Sequence, residues 1–266
     1  MATERDFPTI RRYTVADAQR LNYMMSARPD SWLGSTAEEY ATLLRDGDLS
    51  AVAASDALLS RIETDLDVSG LRRELVPAVV GPVANVPAYL AGIPESMLAF
   101  EQVESDRGEI TVLADMFISA SFDPSAYRRR GVALLALVRA LSIVRPVRLF
   151  ALVAHERGKN RHGCVVELPS NPLDLATCGF WLAHVSAFRQ FGLAETFHYM
   201  EDATTQHGFR DMTEAESVAW LAGQLDLDRD NVILSPGMVS GDGTAPFKTD
   251  AGAVDWVQGR INAALA

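Results

Sequence analysis

Cysteine is almost absent from this 266-residue chain, which contains only Cys164 and Cys178. Two cysteines in such different sequence contexts provide neither a disulfide framework nor a zinc-binding spacing. Long apolar runs are also missing. The sequence contains no stretch of about 18 hydrophobic residues, the length needed to cross a bilayer. Residues 1–14 lack the apolar core of a signal peptide. These absences predict a protein without membrane contact, in the cytoplasm of the producing cell or in a virion.

Basic residues are outnumbered in this sequence. The chain has 24 Lys and Arg against 35 Asp and Glu, which gives a formal net charge of −11. This balance favours solubility and disfavours binding to the phosphates of nucleic acid or to anionic membranes. A local exception, which we name the basic rim, lies in the polar linker at 155–163 and consists of Arg157, Lys159, Arg161 and His162. The basic rim is the one feature that would suit a nucleic-acid-binding protein.

Common catalytic and cofactor signatures are missing as well. The sequence has no G-x-x-x-x-G-K-[ST] phosphate loop, no G-x-G-x-x-G dinucleotide turn, no G-x-S-x-G nucleophile elbow and no H-E-x-x-H zinc motif. We therefore expect no cofactor. No sequence motif indicates a class of enzyme.

Residues 109–154 carry the clearest structural pattern. They read as a buried strand, a short polar loop, an amphipathic helix that begins at Pro124, and a second buried strand. This order predicts a parallel βαβ unit. Asp115, Ser119 and Ser121 follow the first strand, at the edge where ligands bind in open α/β sheets. We take these three residues as the centre of a candidate ligand or contact site.

Further elements flank this unit on both sides. Capping-box patterns begin two of the predicted helices. The first is formed by Ser35 and Thr36 with Glu38 and Glu39, and the second by Thr213 with Glu216. Pro77 directs one predicted strand to a sheet edge, because proline cannot donate to a ladder. The remaining helices and strands are expected at about 15–26, 36–47, 49–66, 173–183, 185–200, 213–225 and 250–265 for helices, and 74–81, 163–168 and 231–235 for strands.

Together these elements predict an α/β fold with a mostly parallel sheet flanked by helices. We divide the chain into a helical N-terminal region at 1–72 and an α/β core with C-terminal helices at 73–266. We expect the two regions to form one integrated unit.

Three short strings carry a resemblance to a known family. They are residues 86–97 (VPAYLAGIPESM), residues 32–34 (WLG) before a capping box, and residues 129–131 (RRG) at the start of the central helix. Together they resemble an uncharacterised family found in phages and prophages, whose core is similar to the von Willebrand factor A fold. The resemblance implies a von Willebrand factor A-like or Rossmann-like sheet, and it carries no known activity to this chain.

The resemblance also raises the question of a metal. Domains of the A type often hold a divalent cation through Asp-x-Ser-x-Ser, whose oxygen ligands suit a hard metal ion. Here the corresponding residues run from Asp115 to Ser119, and Phe117 replaces the middle serine. Asp115 and Ser119 remain as weak candidate metal ligands. By position, Thr177 or Asp174 and Asp242 are the candidates for the outer ligands. Because an oxygen ligand is replaced by a bulky apolar ring, we expect no bound metal. We favour an Asp115 that caps the loop by accepting backbone N–H bonds.

Arg128, Arg129 and Arg130 form a second constellation, in the first turns of the central helix. Cations at a helix N-terminus oppose the macrodipole, so other groups must compensate their charge. We favour ion pairs with nearby acids such as Asp115 or Asp123. The alternative is a bound anion, because helix N–H groups and guanidinium groups both suit phosphate or carboxylate.

These features lead to one favoured function and two alternatives. We favour a non-enzymatic phage or prophage protein that acts through protein–protein contacts, with a partner protein or as a homo-oligomer, as an accessory factor or an assembly component. The first alternative is a hydrolase or transferase with a site near Asp115, Ser119 and Arg128 to Arg130. The second is a nucleic-acid-binding protein that uses the basic rim.

Overall fold

The computed structural model describes most of the chain, and the statements below concern those residues. The described residues are 10–21, 28–62, 73–78, 83–84, 86–94, 96–102, 108–119, 124–143, 145–157, 160–199, 206–207, 212–235, 237–238 and 245–265. The strands are β1 (Ile10–Thr14), β2 (Arg73–Ala78), β3 (Val83–Ala84), β4 (Met97–Gln102), β5 (Ile110–Asp115), β6 (Val147–Arg157), β7 (Asn160–Leu168), β8 (Gln206–His207) and β9 (Val232–Ser235). The helices are α1 (Val15–Leu21), α2 (Asp30–Leu33), α3 (Ala37–Asp46), α4 (Leu49–Ile62), α5 (Val86–Leu90), α6 (Pro124–Ser142), α7 (Leu175–Ala183), α8 (Leu193–Tyr199), α9 (Glu214–Leu225) and α10 (Asp250–Leu265), with a π-helix at Ala187–Gly192.

The main sheet has the strand order β1-β7-β6-β5-β9, with β8 paired to the far end of β6. Three of its neighbouring pairs are parallel, namely β1 with β7, β6 with β5, and β5 with β9. The β6–β7 pair is an antiparallel hairpin. The predicted βαβ unit is confirmed, because β5 and β6 are parallel neighbours joined by α6, which begins at Pro124 as expected. The fold is therefore α/β with a mostly parallel sheet flanked by helices.

Side chains of the central strands alternate between two apolar layers. On β5, Val112 and Ala114 join the larger cluster, whereas Leu113 joins the smaller cluster on the opposite face. This alternation follows from the two-residue period of a strand. The larger cluster holds α6, α7 and α10, and the smaller cluster is closed by Leu221 and Leu225 of α9. Both faces of the sheet are covered, which explains why its central strands read as continuous apolar runs.

The N-terminal helices share the core of the sheet. Helix α4 packs against α6 and α7, and α3 packs against α7. The predicted capping box of α3 is confirmed, since Thr36 and Glu39 bond each other's backbone N–H. Strand β1 was not predicted. It is a five-residue edge strand, and its sequence IRRYT is too short and too polar to give a clear alternating pattern. The predicted helix extensions to residues 26 and 66 lie outside the described residues.

A separate three-stranded antiparallel sheet has the order β2-β4-β3. Strand β2 contains Pro77 and lies at an edge, as predicted. Strand β4 was not predicted, because residues 97–102 follow directly on the Gly- and Pro-rich turn after α5. The polar linker at 155–163 allows a hairpin into the strand predicted at 163–168, and this hairpin is confirmed. Its strands are longer than expected, because β6 runs to Arg157 and β7 begins at Asn160.

Both cysteines are buried and free. Within the described part of the chain, no helix combines the length and hydrophobicity needed to span a bilayer.

Close packing of α6 on α7 depends on Gly131. A Cβ atom at this position would lie 2.2 Å from the carbonyl oxygen of Leu182 and 2.3 Å from Cα of Ala183. We expect Gly131→Ala to lower the free energy of unfolding by about 3 kcal/mol, because the two helix backbones must separate. Urea denaturation of the purified chain measures this change.

The matched control is Gly223→Ala in α9, where the added methyl group meets nothing within 4 Å. Alanine should stabilise that helix by about 0.5–1 kcal/mol, through its higher helix propensity. Equal effects at the two glycines would contradict the close packing of α6 on α7.

Candidate functional site

Asp115 is the last residue of β5 and lies at the carboxyl edge of the sheet. Its side chain is buried, and Oδ1 accepts the backbone N–H of Phe117 at 3.0 Å. The backbone N–H of Gly237 also donates to this carboxylate. The expected capping role of Asp115 is thereby confirmed. Burial raises the pKa of Asp115 to about 6, although both backbone bonds and the charge of Arg130 act in the opposite direction.

Phe117 is a core residue rather than a degenerate metal ligand. Its ring is buried and meets the ring of Phe188 edge to face, with centroids 5.3 Å apart. Its carbonyl accepts from Met238 at 2.7 Å, and the N–H of Ser119 donates to the carbonyl of Met238 at 3.0 Å. Backbone hydrogen bonds thus join the segment that follows β5 to the segment that follows β9. Ser121 lies outside the described residues.

No group of three His, Cys, Asp or Glu side chains that could hold a metal occurs among the described residues. Asp174 is engaged locally, because it caps α7 by accepting from the N–H and the hydroxyl of Thr177.

The three consecutive arginines do not form one site. Arg128 pairs with Asp48 at 3.0 Å, and Arg129 pairs with Asp250 at 3.0 Å. The prediction of ion pairs is confirmed for these two residues, but the predicted partner Asp115 is wrong. Successive residues on a helix point about 100° apart, so adjacent arginines reach different neighbours. The other predicted partner, at position 123, lies outside the described residues.

Arg130 alone turns into the candidate site. Its side chain is 1% exposed, and Nη2 donates to the backbone carbonyls of Asp115 at 2.7 Å and Ser235 at 3.0 Å. These two carbonyls are at the carboxyl ends of the neighbouring parallel strands β5 and β9. The guanidinium therefore bridges two strand ends instead of pairing with a carboxylate.

Tyr127 and Arg189 complete a group that we name the buried polar cluster. Tyr127 is fully buried, and the charges of Arg130, Asp115 and Arg189 all act on its pKa, which burial raises. Arg189 lies 4.8 Å from the centroid of the Trp32 ring and donates to the Trp32 carbonyl at 2.5 Å. The buried polar cluster consists of Asp115, Tyr127, Arg130, Arg189 and Ser235.

Four polar atoms of this cluster have no hydrogen-bond partner among the described residues. They are Oη of Tyr127, Nε of Arg130, Nε of Arg189 and Oγ of Ser235. Most buried polar groups in proteins are hydrogen-bonded, so four exceptions in one cluster require an explanation.

Sequence reasoning found Asp115 and Arg130 but missed the other members. Tyr127 and Arg130 are three residues apart on α6 and thus share a face of the helix. Ser235 ends an apolar strand, as Asp115 does. Both relations were visible in the sequence. Arg189 was missed, because the sequence of its segment predicted an ordinary α-helix.

The π-helix at Ala187–Gly192 positions Arg189. All six residues of this turn are buried, including the polar Arg189 and Gln190. π-Helical turns are rare in proteins as a whole, and those that occur are often found at functional sites. The widened turn thus places a guanidinium inside the fold, near Tyr127.

Open pockets lie elsewhere on the molecule. One, of about 550 Å³, is lined by Ile110, Arg145, Asn231 and Val232 among others, at the amino ends of β5 and β9. There Arg145 is engaged by the carbonyl of Gly108 and the side chain of Asn231. Because ligands of open α/β sheets bind at the carboxyl ends of the strands, the buried polar cluster is the better-placed candidate.

Helix α5 presents a second kind of candidate site, an exposed apolar surface. Val86, Tyr89, Leu90 and Ile93 are between 47% and 78% exposed. Val86, Tyr89 and Leu90 are three and four residues apart and lie on one side of α5. Ile93 follows the turn that ends the helix, and we name the four residues the α5 apolar stripe. Gly92, with φ +70°, ends the helix in the left-handed conformation that glycine adopts most readily.

The raised pKa of Asp115 makes stability depend on pH. The unfolded chain loses the Asp115 proton near pH 3.8, whereas the folded state keeps it up to about pH 6. The free energy of unfolding of the native chain therefore falls as pH rises from about 4 to about 6. We expect Asp115→Asn, measured against the native chain, to gain about 2–3 kcal/mol of relative stability between about pH 4 and pH 7. Urea denaturation across this range measures the difference.

Asp48→Asn is the matched control, because the pKa of Asp48 shifts the other way. Burial alone would raise this pKa, but hydrogen bonds from Ser50 and Arg128 outweigh burial and lower it. This variant should lose relative stability as pH rises through the range below about pH 4, and should change little relative to the native chain between about pH 4 and pH 7. A pH-independent difference between Asp115→Asn and the native chain would contradict the burial of a protonated Asp115.

Comparison with known proteins places the chain in a family but assigns no activity. No curated protein and no solved structure shows significant similarity to the chain. One family model matches residues 6–238, which include the buried polar cluster and the α5 apolar stripe. The chain therefore belongs to the family described as Domain of unknown function (DUF7192).

Proposed function

We propose that this is a non-enzymatic phage or prophage protein that acts through contacts with a partner protein, as an accessory factor or an assembly component. The α5 apolar stripe is the observation that carries this proposal. Among the described residues, the other large apolar side chains that are exposed, such as Leu49 and Phe197, lie far from the stripe in sequence. Isolated exposed apolar residues are normal on soluble proteins, whereas grouped ones mark interaction surfaces.

The shape of the stripe suits recognition by another protein. Tyr89 and Leu90 are the most exposed members, and both project from a turn whose geometry is fixed by backbone bonds from Ala91 to Pro87 and from Ile93 to Ala88. An accessible tyrosine is typical of the residues that dominate binding energy in interfaces, and Leu90 beside it adds apolar area. Little conformational freedom would be lost when such a turn binds.

The charge of the surrounding sequence supports a partner with basic residues. Residues 73–109, which contain the stripe and the three-stranded sheet, have six acidic residues and two arginines. A second copy of this chain would bring the same negative charge to the contact, which disfavours a homo-oligomer. We therefore expect a different protein, with an apolar centre surrounded by basic residues.

The phage context and the finer fold belong to the same proposal. The strings at 86–97, 32–34 and 129–131 support a phage or prophage origin through their resemblance to that family. The parallel central strand that ends in Asp115, covered by helices on both faces, supports a von Willebrand factor A-like core. Folds of this type present the loops at their strand ends to partners, which is an argument from analogy.

Site-specific photo-crosslinking tests the partner surface. A photoreactive residue at Tyr89 should yield one discrete adduct in the producing cell, because Tyr89 would lie inside the contact. The same residue at Leu49, which is equally exposed on α4, is the control and should yield none. Mass spectrometry of the adduct should identify a basic protein. Equal adducts from both positions, or adducts between copies of the chain alone, would refute the proposal.

Affinity for the crosslinked partner, purified, gives the quantitative counterpart. Leu90→Ser should weaken binding about tenfold, the loss typical of an interface anchor. Leu49→Ser, which removes an equally exposed leucine, should leave affinity unchanged. Binding of Leu90→Ser with native affinity would exclude the stripe as the contact.

A further inference from the structure

The proposed function uses the α5 apolar stripe and gives no role to the buried polar cluster. Its four unpartnered groups are the Nε–H groups of Arg130 and Arg189 and the hydroxyls of Tyr127 and Ser235. A guanidinium N–H can only donate, and both hydroxyls are free to donate. The cluster is therefore a concentration of hydrogen-bond donors that lack acceptors within the described residues.

Charge in the cluster is also incompletely compensated. Among the described residues, neither Arg130 nor Arg189 forms an ion pair with a carboxylate, and Asp115 is the acid whose charge acts on Arg130. Burial of a guanidinium without a counter-charge is unfavourable. The same fold compensates another buried guanidinium fully, because Arg11 holds both oxygens of Glu195, at 2.5 and 3.0 Å.

From this excess of donors and positive charge we propose that the buried polar cluster binds a small oxyanion, a phosphate or a carboxylate group. Such a group supplies several acceptor oxygens and the missing negative charge together. The hydroxyls of Tyr127 and Ser235 and the two Nε–H groups hold its oxygens. A metal cation does not fit, because two guanidinium groups repel it and their Nε–H groups can only donate.

The position of the cluster supports the same ligand. It lies at the carboxyl ends of β5 and β9, where open α/β sheets bind ligands. Tyr127 and Arg130 belong to the first two turns of the 19-residue helix α6, whose positive end favours an anion. The rare π-helix at Ala187–Gly192 adds the second guanidinium, that of Arg189, whose charge acts on Tyr127.

Thermal unfolding and isothermal titration calorimetry of the full chain test this proposal. The probes are inorganic phosphate and acetate, with sodium chloride at equal ionic strength as the control. We expect phosphate, acetate or both to raise the melting temperature in a saturable manner, because a ligand of the folded state stabilises it. Phosphate alone indicates a phosphate ligand, and acetate alone indicates a carboxylate ligand.

Variants locate the site. Tyr127→Phe and Arg189→Gln should each weaken binding of the active probe about tenfold or more, the expected loss for one hydrogen bond to a charged group. The matched controls are Tyr40→Phe, another fully buried tyrosine, and Arg129→Gln, whose side chain pairs with Asp250. Both controls should bind with native affinity.

Two results would overturn the proposal. One is a melting temperature that responds to phosphate and acetate no more than to sodium chloride. The other is saturable binding that persists unchanged in Tyr127→Phe and Arg189→Gln, since the ligand would then occupy another site. Circular dichroism confirms that each variant is folded, and Ser235→Ala replaces any variant that is not.

Discussion

The guanidinium of Arg130 joins the carboxyl ends of β5 and β9 from inside the fold. Backbone carbonyls at strand ends lack ladder partners, and each one left unsatisfied in the interior costs roughly 1–3 kcal/mol. Arg130 satisfies two of them, and its position requires α6 to pack directly over the sheet. Gly131, the next residue, permits the close approach of α7 to the same helix. The central strands, the helix that connects them and the helical layer therefore depend on one small region of α6.

The buried charge of Arg130 determines which kind of ligand suits its surroundings. Asp115 supplies negative charge near Arg130, but its own burial weakens that contribution, and Arg189 adds a second positive group. The interior of the carboxyl edge thus favours an anion, whereas residues 73–109 are rich in acidic residues by sequence and carry the exposed α5 apolar stripe. The two features are distinct in chemistry. One suits a small ligand and the other suits a protein, so a ligand at the carboxyl edge and a partner at α5 are compatible.

Local signals predicted much of the fold. Pro124 and the capping boxes at Thr36 and Thr213 act within a few residues of chain, so they located helix starts correctly. Strand β1 was missed because its pairing with β7 joins residues far apart in the sequence. The partner of Arg128 was missed for the same reason, since Asp48 lies on the loop before α4. Within the candidate site, the sequence predicted Asp115 and Arg130 from their places in the βαβ unit. It did not predict Arg189, because no sequence pattern indicates the π-helix that carries this residue.

Native-state hydrogen exchange of Arg130→Met tests most directly whether Arg130 holds the two strand ends together. Methionine keeps an unbranched apolar side chain and has no donor, so the carbonyls of Asp115 and Ser235 lose their shared partner. The amides of β5 and β9 should lose protection at least about tenfold, which corresponds to about 1.4 kcal/mol of local opening. The amides of the β6–β7 hairpin should keep more of their protection. Equal protection of all four strands in the variant and the native chain would contradict the central role of Arg130.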